Sequence, residues 1–96
     1  MITNFADQAT EDVFNGVDTR AARSIPKAIW SVVFRKLDAL NAATTLLDLR
    51  SPPSNHLEAL KGKLQGKYSI RVNDQFRVVF AFKDGNASDV SVTDYH

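Results

Sequence analysis

The sequence predicts an α+β domain in which N-terminal helices pack on a small, mainly antiparallel, twisted β-sheet. Three observations carry this expectation: apolar residues recur at helical spacing between residues 24 and 40, they alternate with polar residues from residue 68 onward, and turn-forming residues separate the alternating runs. Helical periodicity first and strand periodicity afterwards is the order of an α+β fold. A chain of 96 residues has the length of one domain, so residues 1–96 are expected to share one core.

In chain order, residues 2–5 read as a short strand. Asp7 is a suitable N-cap for a brief helix through Phe14, closed by Asn15 and Gly16. A longer helix is expected to start at Ser24 as N-cap and to run through Leu40. Pro26 falls in its first turn, where a missing N–H costs nothing, and Ile29, Trp30, Val33, Phe34, Leu37 and Leu40 form the apolar stripe. Trp30 and Phe34 share that stripe with aliphatic residues, so they are expected to anchor the core and not to stack on bases. Thr44 or Thr45 can cap a further short helix through Leu49, which Pro52 and Pro53 stop, and residues 54–56 are loop.

Residues 57–60 read as a short strand, after which Gly62 and Gly66 bracket a lysine-rich turn. Tyr68, Ile70 and Val72 then alternate with Ser69, Arg71 and Asn73. Beyond turn chemistry at Asn73 and Asp74, Phe76, Val78, Phe80 and Phe82 alternate with Arg77, Val79 and Ala81. One face of this hairpin is therefore core, and Arg71 and Arg77 emerge on the other. A second turn at residues 83–86 leads to a strand through residues 90–93 and to the terminal Asp94, Tyr95 and His96.

The absence of cysteine excludes disulfides, thiol nucleophiles and cysteine-based zinc sites. His56 and His96 stand 40 positions apart without flanking ligands, so no metal site is expected. Gly62 and Gly66 precede a strand and not a helix, which argues against a phosphate-binding glycine loop, and no cofactor is expected. The N-terminal residues lack the basic and apolar regions of a signal peptide, and no window is apolar enough to span a membrane. The expectation is a soluble cytoplasmic protein with no membrane partner.

A formal net charge of +1 conceals segregation. Residues 1–19 hold Asp7, Glu11, Asp12 and Asp18 with no Lys or Arg, a net of −4. Residues 57–83 hold Lys61, Lys63, Lys67, Arg71, Arg77 and Lys83 against Glu58 and Asp74, a net of +4. Phosphate affinity follows local cation density, so an anionic polymer is a natural partner for the second half. An ordinary solvated charged surface would have the same composition.

Cutting RNA without a metal requires a base for the 2′-hydroxyl, an acid for the 5′-oxygen, and cations where the pentavalent phosphate gathers charge. Lys61, Arg71 and Arg77 offer the cations, with arginine able to bind phosphate in bidentate fashion. His96 can act as acid or base near neutral pH, Glu58 can serve as a base, and Asp94 and Tyr95 add proton-handling and stacking groups. His56, Lys63 and Lys67 are further candidates for contacting RNA. Each has a plainer reading: Lys63 and Lys67 as solubility charges, Arg77 as an ion-pair partner of Asp94, His56 as an exposed loop residue, and Tyr95–His96 as a frayed end.

The motifs Ser51-Pro52-Pro53-Ser54-Asn55-His56-Leu57-Glu58-Ala59-Leu60-Lys61-Gly62 and Tyr68-Ser69-Ile70-Arg71-Val72-Asn73-Asp74-Gln75-Phe76-Arg77, followed by a terminal Asp94-Tyr95-His96, resemble the HigB-type toxins of the RelE/ParE superfamily. The resemblance spans nearly the whole chain. It implies a RelE-like fold and a bacterial type II toxin that cleaves mRNA on the translating ribosome as a metal-independent endoribonuclease. It also implies a cognate helix-turn-helix antitoxin of the HigA kind, a toxin–antitoxin heterotetramer, and contact with operator DNA only through the antitoxin. Carried over, Lys61 and Arg77 would stabilise phosphate charge, while Asp94, Tyr95 and His96 would handle the nucleotide and proton transfer. Some members carry histidine where Glu58 stands, which leaves the base open between Glu58, His56 and another group, and weak toxicity is an expectation for this variant. Two other functions fit the same fold: a ParE-like inhibitor of gyrase, and a decayed toxin acting as an antitoxin-binding co-repressor. For the antitoxin, the acidic residues 1–19 and the outer side of the helix at residues 24–40 are the candidate surfaces.

Overall fold

The computed structural model of the protein describes residues 1–95. Its first helix, α1 (Gln8–Phe14), is capped as expected: the Asp7 carboxylate accepts from the Thr10 N–H at 2.8 Å, and Gly16 follows the last turn with φ 72°. The long helix, α2 (Trp30–Ala42), begins later than the sequence predicts. Two 3-10 turns, Ala22–Ser24 and Lys27–Ile29, replace its expected start. The reason is Pro26, which disfavours helical backbone at the residue before it and leaves Ile25 extended. Ser24 is consequently not an N-cap; its hydroxyl donates to the Ala21 carbonyl at 2.7 Å.

Phe34 also departs from expectation. Val33, Leu37 and Leu40 follow the i, i+4, i+7 row and are fully buried, whereas Phe34 lies one position off that row and remains 44% exposed. Its ring stacks instead on Phe14, at 5.9 Å between centroids, and joins α2 to α1. Trp30 is half-buried, and its indole N–H donates to the Ile25 carbonyl at 2.7 Å. Beyond α2, the Thr45 cap holds a 3-10 turn at Leu46–Arg50 through a reciprocal capping box with Asp48.

The sheet comprises β1 (Glu58–Ala59), β2 (Lys67–Arg71), β3 (Phe76–Lys83) and β4 (Asn86–Asp94), hydrogen-bonded in that order and antiparallel throughout. Residues 2–5 do not form a full strand. They run parallel to β4 through single bridges, Ile2 to Ala87 and Phe5 to Val90, and so cover that edge. β4 carries one extra residue opposite β3 between Ser88 and Ser91, with Asp89 at φ 50°, and Asn4 holds it by bonds to the Asp89 backbone N–H and carboxylate.

The alternation predicted for the hairpin places Ile70, Val78 and Phe80 on the face covered by the helices, all fully buried with Val90 of β4. Thr10 of α1 is buried against the sheet, where its hydroxyl accepts from the Val92 N–H at 2.9 Å. Ser69, Arg71 and Arg77 lie on the opposite sheet face, where Ser69 and Val79 are buried and the two arginines are half-buried.

One pH effect follows from the N-terminal packing. The Asp12 carboxylate accepts from the Thr19 hydroxyl at 2.6 Å and the Gln8 amide at 2.7 Å, and these bonds, Thr19 first, hold its pKa below the ordinary value. A depressed folded-state pKa contributes stability that is complete above the unfolded value of about 3.9 and fades as pH falls below it. Thermal unfolding between pH 6 and pH 2.5 should therefore show a smaller acid-side loss in Asp12→Asn than in the unsubstituted protein. Parallel curves would remove Asp12 from the acid transition.

Candidate functional site

Four chain segments meet at one end of the uncovered sheet face. Arg71 closes β2 and Arg77 is the second residue of β3, and the register sets them directly opposite each other, with Thr93 of β4 beside Arg77. Like charges paired across strands destabilise a sheet unless something offsets them. Here Arg71 pairs with Asp74, while Arg77 is held from both sides: its Nε donates to the Ser69 hydroxyl at 2.8 Å and an Nη donates to the His56 carbonyl at 2.5 Å. Ser69, fully buried on this face, and the loop before β1 thereby orient one guanidinium.

His56 presents that carbonyl because it takes a left-handed conformation, φ 44°, at the end of the 3-10 turn Pro53–Asn55. Glu58 follows two residues later and pairs with Ser69, which puts its side chain on the arginine face. On the other side, the Asn73 carboxamide accepts from the Gln75 and Phe76 N–H groups at 2.8 and 2.7 Å and so fixes the β2–β3 turn. That turn in turn holds the chain end: Gln75 donates to the Asp94 carboxylate at 3.0 Å, and the Tyr95 N–H donates to the Gln75 carbonyl at 2.7 Å.

The result is an open cleft of about 370 Å³ lined by His56, Glu58, Arg71, Asn73, Arg77 and Tyr95, with Asp74 at its rim. Its lining residues bring two guanidinium cations, a carboxylate, a histidine and an aromatic residue that is 45% exposed. The Arg71–Asp74 pair is on the surface, with the Asp74 side chain 97% exposed, so it stabilises little and an incoming anion can displace Asp74.

Of the residues singled out in the sequence, His56, Glu58, Arg71, Arg77 and Tyr95 are brought together here, and Asp94 anchors the rim through Gln75. Lys61, Lys63 and Lys67 do not line the cleft. The Leu60 N–H donates to the Lys67 carbonyl, so these lysines sit at the opposite end of β2, where Lys67 is roughly 13 Å from Arg71 at the rise of a strand. His96 lies outside the described residues. Sequence reasoning missed Ser69, Gln75 and Asn73 as parts of the site. The alternation put Ser69 and Asn73 on the right face, but their hydrogen-bonding duties depend on the register and the turn.

A family model described as a RelE-like toxin of the type II toxin–antitoxin system HigB matches residues 3–96. The chain belongs to the HigB-like toxin family. Toxin HigB-1 of Vibrio cholerae is 44% identical over 87 residues, covering 91% of this chain and 90% of that protein. An uncharacterized Haemophilus influenzae protein is 42% identical over 66 residues, covering 69% of this chain and 65% of its own length. Among solved structures, the YoeB–YefM complex of Staphylococcus aureus superposes on all of this chain and 95% of the matched chain, with a TM-score of 0.62 at 23% identity. That likeness shows the fold, a RelE-like α+β arrangement, as the HigB-type motifs imply. This HigB-like chain is thus a type II toxin by family, and no helix among its described residues is long and apolar enough to cross a membrane.

Proposed function

We propose that this HigB-like toxin is a metal-independent endoribonuclease that cuts mRNA on the translating ribosome and is neutralised by a cognate helix-turn-helix antitoxin. The observation that carries the reading is the cross-strand pair Arg71 and Arg77 in one cleft with Glu58 and Tyr95. Two arginines set opposite each other in the sheet register and lining one cleft are well placed to take up the charge that grows on a pentavalent phosphate. Tyr95 supplies a ring for a splayed base. Glu58 is a carboxylate within the same cleft that can take the 2′-hydroxyl proton, and the resemblance assigns proton delivery to His96. Attack of the 2′-oxygen on phosphorus and departure of the protonated 5′-oxygen leave a 2′,3′-cyclic phosphate and a 5′-hydroxyl. Complexes of the S. aureus fold relative, one described as a heterotetramer of toxin and antitoxin, support an antitoxin partner and a similar assembly; the HigA-like identity of that partner, and operator DNA reached only through it, come from the motif resemblance.

Induction without antitoxin, followed by mapping of RNA 5′ ends, tests this directly. Cuts confined to translated regions are expected, and His96→Gln should lower them about 10²-fold or more, the scale of a lost proton-transfer group. DNA damage without RNA cuts would replace the reading with gyrase inhibition. Unimpaired growth with intact messages would replace it with co-repression through the antitoxin.

A further inference from the structure

A second groove adjoins the cleft. It has a volume of about 580 Å³, runs between α2 and the loop at residues 52–54, and shares Arg71 and Asn73 with the cleft. Its walls include Arg35 and Lys36 of α2 and the Ser54 side chain. Among the described residues neither Arg35 nor Lys36 has a carboxylate partner; the ion pairs formed are Asp18 with Arg23 and Lys27, and Asp74 with Arg71.

Lys36 is held in place. Its ammonium donates to the Asn55 carboxamide at 2.5 Å, and Asn55 is itself buried, donating to the Leu49 carbonyl at 3.1 Å and more weakly to that of Ser51. Burial first, and the neighbouring Arg35 charge second, lower the Lys36 pKa. An anion beside the two side chains would favour the charged form of Lys36 and so oppose both effects. A held Lys36 and an exposed Arg35 beside it, neither paired with a carboxylate, lie in a trough continuous with a site already suited to phosphate and match the spaced charges of a nucleic acid backbone.

We propose that the Arg35–Lys36 groove binds the sugar-phosphate backbone of RNA flanking the phosphate in the cleft, Arg71 serving both. This deepens the proposed function and rests on it for the identity of the strand. The same backbone chemistry is offered by the message threaded through the cleft and by ribosomal RNA beside it, and the two sources are separable by experiment.

The test uses full-length Arg35→Ala/Lys36→Gln, in which glutamine keeps a donor for Asn55 while the charge is lost. Binding to a single-stranded octanucleotide and to a dinucleotide is followed across salt concentrations, together with co-sedimentation on ribosomes lacking message. If the message occupies the groove, octanucleotide affinity falls about tenfold and the salt slope drops by about 1.5, while dinucleotide binding is unchanged. If ribosomal RNA occupies it, the comparable loss appears in co-sedimentation and not with the octanucleotide. Unchanged affinity in both arms, with a folded variant by circular dichroism, overturns the groove. Loss of binding accompanied by an absence of any RNA cleavage in the unsubstituted protein would instead overturn the nuclease reading and leave the groove standing.

Discussion

Arg77→Ala is expected to reduce cleavage of translated mRNA by about 10²–10³-fold, the scale seen when one preorganised charge donor to a reacting centre is removed. Arg77 differs from the other cations of the basic half because its direction is fixed before substrate arrives. Ser69 and the His56 carbonyl hold two of its nitrogens, so little reorganisation accompanies charge development. Arg71 bonds to an exposed Asp74 and must exchange partners first. Arg77→Lys retains the charge and loses the planar fork, and it should recover only a minor part of the rate. Single-turnover cleavage on programmed ribosomes measures this, with thermal unfolding run in parallel. A rate within tenfold of the unsubstituted protein in a folded Arg77→Ala would take phosphate stabilisation away from this residue.

The hairpin that carries Arg71 and Arg77 was legible because strand periodicity is a backbone property: successive side chains point to opposite faces, so a run such as Tyr68 to Asn73 declares its own core face. The Asp7 cap was legible for a similarly local reason. The start of α2 was not, since Ser24 and Pro26 satisfy the composition of a helix N-terminus while Pro26 dictates extended backbone at Ile25. Phe34 misled because helical spacing tolerates neighbours, and only the packing of α1 decided which side of the stripe faced the sheet. Within the site, charge grouped Lys63 and Lys67 with the arginines, and charge together with the motif resemblance grouped Lys61 with them. A two-residue β1 followed by a 3-10 turn at Gly62–Leu64 instead sends them to the far end of β2, a placement that depends on register and not on residue type. Asn55 shows the same limit: a loop asparagine looks dispensable in sequence, yet it is buried and ties Leu49, Ser51 and Lys36 together.

Phe80→Ala is expected to cost about 3–5 kcal/mol of stability, the range for truncating a buried phenylalanine. Phe80 sits at the centre of β3, pairs with Tyr68 across β2, and is fully buried with its ring 6.2 Å from Tyr68 and 6.4 Å from Phe82. Its neighbours are held by backbone ladders on either side, so the core cannot collapse into the space a missing ring leaves. Domains of this size are stable by roughly 5–15 kcal/mol, so the loss consumes much of the margin. At a urea slope of about 1–3 kcal/mol per molar, the midpoint should fall by roughly 2 M. Phe80→Leu, which keeps most of the volume, should lose far less and should cleave RNA normally, because Arg77 is fixed by Ser69 and His56 on the opposite face. A shift below about 0.5 M for Phe80→Ala would show that the helices, and not β3, carry the core. A folded Phe80→Leu without activity would couple the core to the cleft in a way that the separate faces of the sheet do not predict.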